Sequence, residues 1–313
     1  STTGVGADSD FPACDRWAYR KGGSPSFRAT ISQSTTVPTG QGFATSLKVD
    51  CTTAQSSLSS GDRFGIDQKI EAQNLVNLKQ GTSSADQTTL SFWVRSNLTG
   101  QFNIWIYKPD GTARSFVKAY TISSANTWEK KIINIPADTD SSGAVANDTG
   151  EGWRITWMLA AGSTFSSGSI ATSWEDYNNA NIGVSQTNFG SSTDNEFYLT
   201  GVQMELGTNA SDFEFIPFDV NLRRCQRYFE ICEGGKQFYN ATSHQPRVNV
   251  DFKVNKRAVP SLTNISTNEN CANGIQYSTG AIDGTLCARV NAVNAFVTGE
   301  KFFYGKFSAD SEL

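Results

Sequence analysis

Charged side chains and histidine are scarce in this chain of 313 residues. Asp, Glu, Lys and Arg make up 18% of it, and 26 basic residues against 30 acidic ones leave a net charge of −4. Because phosphate binding draws on clustered lysine and arginine, this balance argues against a nucleic-acid partner. The one histidine, His244, lies in a polar segment with no nucleophile motif beside it. A histidine-dependent triad or a multi-histidine metal centre is therefore not expected.

Long apolar runs and paired cysteine motifs are also missing. No run approaches the roughly 20 apolar residues of a membrane-spanning helix, so we expect no membrane insertion. The six cysteines contain no CxxC pair, which argues against a zinc site. Two disulfides stay open, Cys14 with Cys51 and Cys271 with Cys287. The alternative is reduced thiols in a protein that is assembled in the cytoplasm.

Neutral polar residues and aromatic rings dominate what is present. Only 38% of the residues are hydrophobic, yet 12% are aromatic and 27 are glycine. This composition suits strands joined by long polar loops. Turn signals recur at short intervals without a repeated unit and without alternation of strands and helices. The sequence therefore predicts an all-β fold, an antiparallel jelly-roll β-sandwich, and argues against a β-helix.

Alternation of apolar and polar residues locates the strands. Residues 62–78 fit either a strand or a helical turn, and Pro109-Asp-Gly111 predicts a hairpin. The predicted strands are 27–31, 43–49, 89–95, 102–108, 113–118, 128–135, 152–160, 180–187 and 196–206.

The predicted order of domains has four parts. Leu222, Cys225 and Tyr228 recur at helical spacing, and Gly234-Gly235 is a typical helix stop. Further alternation from Arg247 and at 301–307 predicts more strands. We therefore expect an N-terminal arm over 1–10, a jelly-roll sandwich over 11–218, a short helical linker over 219–234 and a smaller C-terminal β domain over 235–313.

Strand alternation also selects candidate ligand-binding side chains. In 89–95 it turns Trp93 and Arg95 away from the core, and in 102–108 it does the same for Trp105 and Tyr107. Sugar rings present C–H faces and hydroxyl edges, so aromatic faces beside planar polar groups suit glycan binding. We predict that these four residues form one polar-aromatic surface. The alternative is that a loop or a neighbouring subunit covers it.

A second candidate cluster lies in the segment 173–179. Trp174 and Tyr177, with the neighbouring acids Glu175 and Asp176, fit either a sugar site or an interface with another chain. Trp153 and Trp157 share a strand face with apolar residues, so we expect them in the core instead.

Acidic residues give little sign of catalysis or of a metal. A glycosidase needs two carboxyl groups about 5–10 Å apart across a cleft, and the adjacent acids Glu175 and Asp176 do not indicate that arrangement. Asp138, Asp140 and Asp148 are an alternative calcium site, but their spacing departs from an EF-hand loop. We expect no catalytic set, no metal and no cofactor.

A family resemblance is carried by the segments 15–17, 89–96, 120–130, 157–162, 201–207, 225–229, 256–260 and 307–313. In this order along the chain, they resemble tail-fibre and related virion proteins of marine and cyanobacterial tailed phages. The resemblance implies a carbohydrate-binding-like jelly roll, a C-terminal β module and homotrimers on a phage particle. It implies no catalytic residues.

Together these observations predict a non-enzymatic protein of the virion surface. The first hypothesis is a tail-fibre or spike component for host attachment, with a host-surface glycan as the candidate ligand and with itself and other virion proteins as partners. The alternative is a capsid decoration, cement or head-fibre protein that braces the particle. The third hypothesis is a polysaccharide depolymerase.

The C-terminal domain is too small to bury a large core by itself, so we expect contacts between copies to help hold it. Deletion of residues 219–313 should therefore abolish trimers cooperatively, as measured by sedimentation of the full-length and shortened chains. A shortened chain that remains trimeric would contradict this prediction.

Overall fold

The computed structural model describes residues 2–4, 14, 16–240, 247–269, 275–279, 287–292 and 299–312. The chain divides into two compact units, Ser1–Glu214 and Phe215–Leu313. Each unit has its own sheets, and we describe the two separately.

The N-terminal unit consists almost entirely of β-strands. Its strands are β1 (Thr2–Gly4), β2 (Trp17–Gly22), β3 (Arg28–Ser34), β4 (Ser46–Thr53), β5 (Arg63–Glu71), β6 (Thr88–Ser96), β7 (Gly100–Lys108), β8 (Arg114–Ile122), β9 (Glu129–Ile135), β10 (Glu151–Ala161), β11 (Glu175–Asp176) and β12 (Glu196–Leu206). Its short helices are α1 (Ser163–Ser166) and the 3₁₀ turns Ala72–Asn74, Val76–Leu78, Ser141–Gly143, Asn179–Asn181 and Phe189–Ser191.

These strands form two antiparallel sheets that face each other. The front sheet has the order β1-β3-β4-β12-β6-β9, and the back sheet has the order β11-β8-β7-β10-β5-β2. Neighbours along the chain often lie in different sheets, as in a jelly roll. The predicted all-β fold class is confirmed.

The core lies between the two sheets and is built from the inward row of each strand. Leu90, Phe92 and Val94 of β6 are 0% exposed, as are Phe102, Ile104 and Ile106 of β7. Trp153 and Trp157 of β10 are buried in the same cluster, which confirms their predicted core position. The Pro109-Asp-Gly111 hairpin is also confirmed, because β7 pairs with β8 through Lys108 and Arg114, and Gly111 has φ of +59°.

Two of the predicted segments differ in the structure. Residues 62–78 contain both alternatives, a strand to Glu71 and then two 3₁₀ turns. The predicted strand at 180–187 is wrong. The side chain of Asn178 accepts a hydrogen bond from the amide of Ala180 and caps a 3₁₀ turn there, and the amide of Gly183 donates to the Phe165 carbonyl instead of to a sheet.

The structure also decides two points about the N-terminal region. Within the predicted arm over 1–10, Thr2–Gly4 pairs with β3 as strand β1. Of the two alternatives for Cys14 and Cys51, the structure has the free thiols, because Cys51 is a core thiol that donates to the Thr53 carbonyl while Cys14 is exposed. Burial raises the pKa of the Cys51 thiol to about 11. Cys271 and His244 lie outside the described residues, and with Cys271 the pairing Cys271–Cys287 lies outside them too.

The C-terminal unit begins with a helix and continues as short sheets. Helix α2 (Phe218–Gln226) is followed by β13 (Phe229–Asn240), β14 (Arg247–Asp251), β15 (Ser261–Glu269), β16 (Ile275–Thr279), β17 (Cys287–Ala292) and β18 (Gly299–Asp310). The strand orders are β13-β18-β15 and β14-β17-β16. No helix in the described part of the chain is both long and apolar enough to cross a membrane.

The predicted linker over 219–234 is helical only in its first part. The helix ends at Gln226, and the pairing of β13 with β18 begins at Phe229 with Asp310. Gly234 and Gly235 therefore lie inside a strand, opposite Gly305 and Tyr304, and they end no helix. The conformation of residues 229–234 is set by hydrogen bonding to β18, which is distant in the sequence. The spacing of residues within the segment does not indicate this pairing.

A buried lysine joins the helix to the strand that follows it. The ammonium group of Lys256 donates to the carbonyl of Gln226 and lies 3.6 Å from a carboxylate oxygen of Glu230. It also lies 5.1 Å from the ring centroid of Phe252. Burial lowers the pKa of Lys256, against the opposing effect of Glu230. Partners on three segments thus compensate one buried charge.

Substitution of one core-facing and one solvent-facing isoleucine tests which side chains of the sandwich point inward and which point outward. Ile104→Ala leaves a cavity in the core and should cost about 2–5 kcal/mol of unfolding free energy. Ile132→Ala on β9, where the side chain is 53% exposed, should cost less than about 1 kcal/mol. Urea unfolding of both variants measures the difference, and equal losses would contradict the assignment of the rows.

Candidate functional site

The four residues predicted to form one polar-aromatic surface lie on opposite sides of the sandwich. Strand β6 belongs to the front sheet and β7 to the back sheet. Trp93 and Arg95 therefore face outward from the front, and Trp105 and Tyr107 face outward from the back. The prediction of one surface is wrong, because alternation tells which side chains point out and not which sheet holds the strand.

The outer face of the back sheet is covered by the connection between β10 and β12. Trp105 is only 2% exposed and packs in a cluster with Phe165 and Ile182 of that connection. The ring of Tyr177 stacks on it at a centroid distance of 5.8 Å. Asn103 donates to the carbonyl of Val184 at 3.1 Å. Here the alternative expectation, a covering loop, is the correct one.

The second predicted cluster separates as well. Trp174 turns into the main core, where its ring lies 5.2 Å from that of Trp153 and its indole N–H donates to the Pro136 carbonyl at 2.9 Å. Glu175 accepts a hydrogen bond from Asn181 at 2.8 Å, and Asp176 accepts one from Arg114 at 2.9 Å. Trp174 is therefore unavailable to a ligand.

The alternative calcium site is occupied by the chain's own cations. Arg114 donates to both carboxylate oxygens of Asp138, at 2.6 and 3.0 Å. The ammonium group of Lys108 donates to the carbonyls of Asp110, Ser142 and Ala144. Oxygens that could hold a metal ion are thus taken. Among the described residues, no group of three or more His, Cys, Asp or Glu is placed to hold a metal.

On the front outer face, one aromatic ring is enclosed by charged neighbours. The guanidinium carbon of Arg95 lies 4.9 Å from the centroid of Tyr198, and the ammonium nitrogen of Lys48 lies 5.8 Å from it. Glu196 accepts hydrogen bonds from Lys48 at 2.6 Å and from the Tyr198 hydroxyl at 2.8 Å. The bond from Lys48 holds the pKa of Glu196 below its usual range. Arg95 is therefore engaged within the protein.

Beside this cluster, β12 contains a bulge. The register against β6 shifts between Thr200 and Gln203, and Gly201 has φ of +60°. A Cβ on Gly201 would lie 2.5 Å from the Cζ atom of Phe43. Glycine is therefore required here for both its backbone conformation and the close approach of that ring.

Next to the bulge, the two sheets separate into a cleft of about 370 Å³. One wall carries Trp17 and Gln68, which are paired residues of β2 and β5. The other wall carries Gln33, Leu47 and Leu199 from three adjacent strands of the front sheet. We call it the mouth cleft. Its other lining residues are Cys14, Ser32, Thr45, Ser46, Thr200, Gly201 and Val202.

The mouth cleft combines an aromatic ring with polar groups that lack partners. The half-buried indole of Trp17 lies 5.2 Å from the ring of Trp157, which fixes it at the end of the core. The side-chain amides of Gln33 and Gln68 make no hydrogen bond to the residues that the structure describes. No lining residue among those described is charged. Such a site can bind neutral groups by stacking and hydrogen bonding.

The sequence contained two signs of this cleft that were missed. Trp17 and Tyr19 occupy alternate positions, with the small residue Ala18 between them and Arg20 after them, which places both rings on one face of β2. Gln68 interrupts the inward apolar row of Ile66 and Ile70 on β5. A polar residue in a core-facing row is a sign of a site at that position.

Comparison with known proteins identifies no relative by sequence, since neither a family nor a curated protein matches. Solved structures match at low similarity. The enzymatically active domain of tailspike protein 4 of bacteriophage CBA120 is 16% identical, with a TM-score of 0.35 over 61% of this chain and 19% of that one. A family 11 carbohydrate-binding module of a Clostridium thermocellum cellulosomal cellulase is 13% identical, with a TM-score of 0.33 over 66% and 95%.

A protein of Bacteroides thetaiotaomicron, described as a putative sugar-binding protein, is 10% identical with a TM-score of 0.32 over 60% of this chain and 87% of that one. This chain thus spans about a fifth of the length of the tailspike domain and most of the other two proteins. Because all three TM-scores lie below 0.5, we take nothing about function from them.

Burial of Trp105 predicts that its main role is in stability. Trp105→Ala should cost about 3–5 kcal/mol of unfolding free energy, as large-to-small changes at buried aromatics do. Trp93→Ala is the matched control, because that indole is half-exposed and should cost clearly less. Urea denaturation measures both, and a Trp105→Ala protein as stable as the control would contradict the burial.

The ion pair on the front face predicts a pH dependence. The lowered pKa of Glu196 gives stability that is complete above the unfolded-state pKa and is lost as pH falls through the folded-state pKa. Lys48→Met should cost up to about 1 kcal/mol at pH 7, and the difference should vanish at a pH well below the usual glutamate range. Denaturant unfolding at several pH values measures this difference in unfolding free energy.

Lys79→Met, at an exposed pair with Asp86, is the control and should change the unfolding free energy little. A loss of unfolding free energy in Lys48→Met that stays constant with pH would contradict the assignment.

Proposed function

We propose that this protein is a non-enzymatic component of a phage particle's surface and that its mouth cleft binds a glycan of the host envelope. The observation that carries the proposal is the mouth cleft itself. It places an indole beside several hydroxyl groups and two amides to which no described residue bonds, at a position open to solvent.

Sugars suit this arrangement for a physical reason. A pyranose ring offers a C–H face to an aromatic ring, and its hydroxyl groups both donate and accept hydrogen bonds. Trp17 supplies the aromatic surface, and the amides of Gln33 and Gln68 supply donors and acceptors from opposite walls.

The positions of the carboxylates support binding without catalysis. The mouth cleft has no acidic side chain among its described lining residues, whereas glycoside hydrolysis uses two carboxyl groups. The acids first considered for catalysis, Glu175 and Asp176, are held by Asn181 and Arg114.

The assignment to a phage particle rests on the sequence resemblance to tail-fibre and related virion proteins. In this proposal the protein is a homotrimer that contacts other virion proteins, and it is assembled in the host cytoplasm. Three copies of a weak site would act together, because linked sites raise the effective local concentration of the ligand.

A bracing protein of the capsid is the second candidate, and one observation favours it. The C-terminal unit exposes several large apolar side chains near its start, with Phe215 at 58%, Phe218 at 79% and Leu222 at 42%. Exposed apolar clusters of this kind are typical of protein–protein contacts. In such a protein this surface would meet neighbouring coat subunits.

Glycan binding is tested with the full-length protein on a printed oligosaccharide array. We expect binding to at least one glycan and a loss of at least about tenfold in affinity for Trp17→Ala, in line with truncated aromatic contacts. Trp93→Ala on the front outer face should bind as the unchanged protein does. Loss of binding in Trp93→Ala, or retention in a folded Trp17→Ala protein, would place the site elsewhere.

The location on the particle is a separate test. Antibodies to this protein, visualised by electron microscopy of phage particles, should label the tail. Labelling of the head would favour the bracing protein, and particles without label would overturn the assignment to the virion.

A further inference from the structure

We infer that the mouth cleft selects a short, uncharged saccharide, and that Gln68 is the residue that determines its specificity. This inference deepens the proposed function and rests on it. It concerns the chemical class of the ligand, which neither the fold nor the sequence resemblance assigns.

The described lining of the mouth cleft is uncharged, which favours an uncharged ligand. Its lining carries indole, amide, hydroxyl, thiol and aliphatic groups and no charged side chain among the described residues. Uronic acids, sialic acids and sulfated sugars bring an anion that proteins hold with arginine or lysine. The basic side chains Lys48 and Arg95 lie on the outer face and are engaged there with Glu196, Tyr198 and Asn126. An acidic sugar would therefore lose its hydration without gaining a partner.

The position of Gln68 indicates its role. It lies between Ile66 and Ile70 on the inward row of β5, directly beside Trp17. The side chain is half-buried, and no described residue bonds to its amide, so the amide is open to water in the free protein and to a ligand that takes the place of that water. An amide presents two N–H donors and a carbonyl acceptor in one plane, which matches a pair of neighbouring sugar hydroxyls. We therefore assign Gln68 to the recognition of such a pair.

The size of the mouth cleft limits the length of the ligand. A volume of about 370 Å³ is near the lower end of small-molecule sites. One or two sugar rings fill such a space, so the ligand is a short stretch of a glycan.

The two walls of the mouth cleft belong to different sheets, so binding of a ligand to both should be measurable as a change in stability. Gln68 and Trp17 belong to the back sheet, whereas Gln33 belongs to the front sheet. A ligand bonded to both walls links the sheets and binds only the folded unit. Ligand binding should therefore raise the unfolding temperature in a concentration-dependent way.

The test begins with an array that carries neutral oligosaccharides beside sialylated, uronic-acid and sulfated ones. The neutral oligosaccharide that binds best is then titrated calorimetrically at 50 mM and 500 mM NaCl. We expect affinities equal within about twofold at the two salt concentrations, since screening affects charged pairs. Differential scanning calorimetry with the same oligosaccharide should show a rise in unfolding temperature.

Variants then test the assignment of the amides. Gln68→Leu keeps the approximate size and removes the hydrogen-bonding groups, and it should lower the affinity at least tenfold. Gln33→Leu, at an exposed position that carries less risk to folding, should also weaken binding. Gln87→Leu is the matched control outside the cleft and should bind normally. Thermal unfolding without sugar checks that each variant is folded.

The outcomes separate this inference from the proposed function. Binding confined to acidic glycans, or binding that weakens strongly at 500 mM NaCl, would overturn the inference and leave glycan binding intact. Normal binding by folded Gln68→Leu and Gln33→Leu proteins would overturn the assignment of the amides. Absence of binding to every glycan on the array would overturn the proposed function and the inference with it.

Discussion

Contact between the inward rows of two facing sheets is the interaction on which the N-terminal unit depends. Aromatic rings pack in this space: Trp157 of the back sheet lies 5.6 Å from Phe92 of the front sheet and 5.2 Å from Trp17, which is also on the back sheet. These distances are typical of tilted and edge-to-face pairs that stabilise cores beyond their buried area. Where this row of rings ends at Trp17, the sheets are no longer filled from both sides. The mouth cleft is the space that remains.

The polar groups of this unit show which positions are structural. Arg114 with Asp138 is a buried pair whose bonds are made, and Lys108 fills a cage of carbonyl oxygens in the manner of a bound cation. Such groups are satisfied within the fold and have no bonds left for a ligand. Gln68 differs because it is half-buried on an inward row and no described residue bonds to its side-chain amide. A solvent-accessible amide inside a cleft therefore distinguishes the candidate site from polar clusters that are richer in charge.

The aromatic residues most prominent in the sequence serve the fold. Trp105 lies under the connection between β10 and β12, and Trp174 lies in the core. The connection between β10 and β12 covers the outer face of the back sheet, so ligands cannot reach that face. On the outer face of the front sheet, Arg95 and Lys48 pack against Tyr198 and occupy part of the surface. The end of the sandwich remains as the place for binding. There the bulge of β12 at Gly201 lies next to the point where the sheets separate.

Alternation along β6, β7 and β10 determined from sequence alone which side chains form the core, because the pleat of a strand fixes a period of two. Glycine and proline at 109–111 likewise determined a hairpin. The sheet to which each strand belongs was decided only by pairing between segments far apart in the chain, which is why Trp93 and Trp105 were placed on one surface. The same long-range pairing turned residues 229–234 into a strand and brought Gln33 opposite Gln68. Local pattern records the orientation of a side chain, whereas its neighbours are set by contacts that only the folded chain makes.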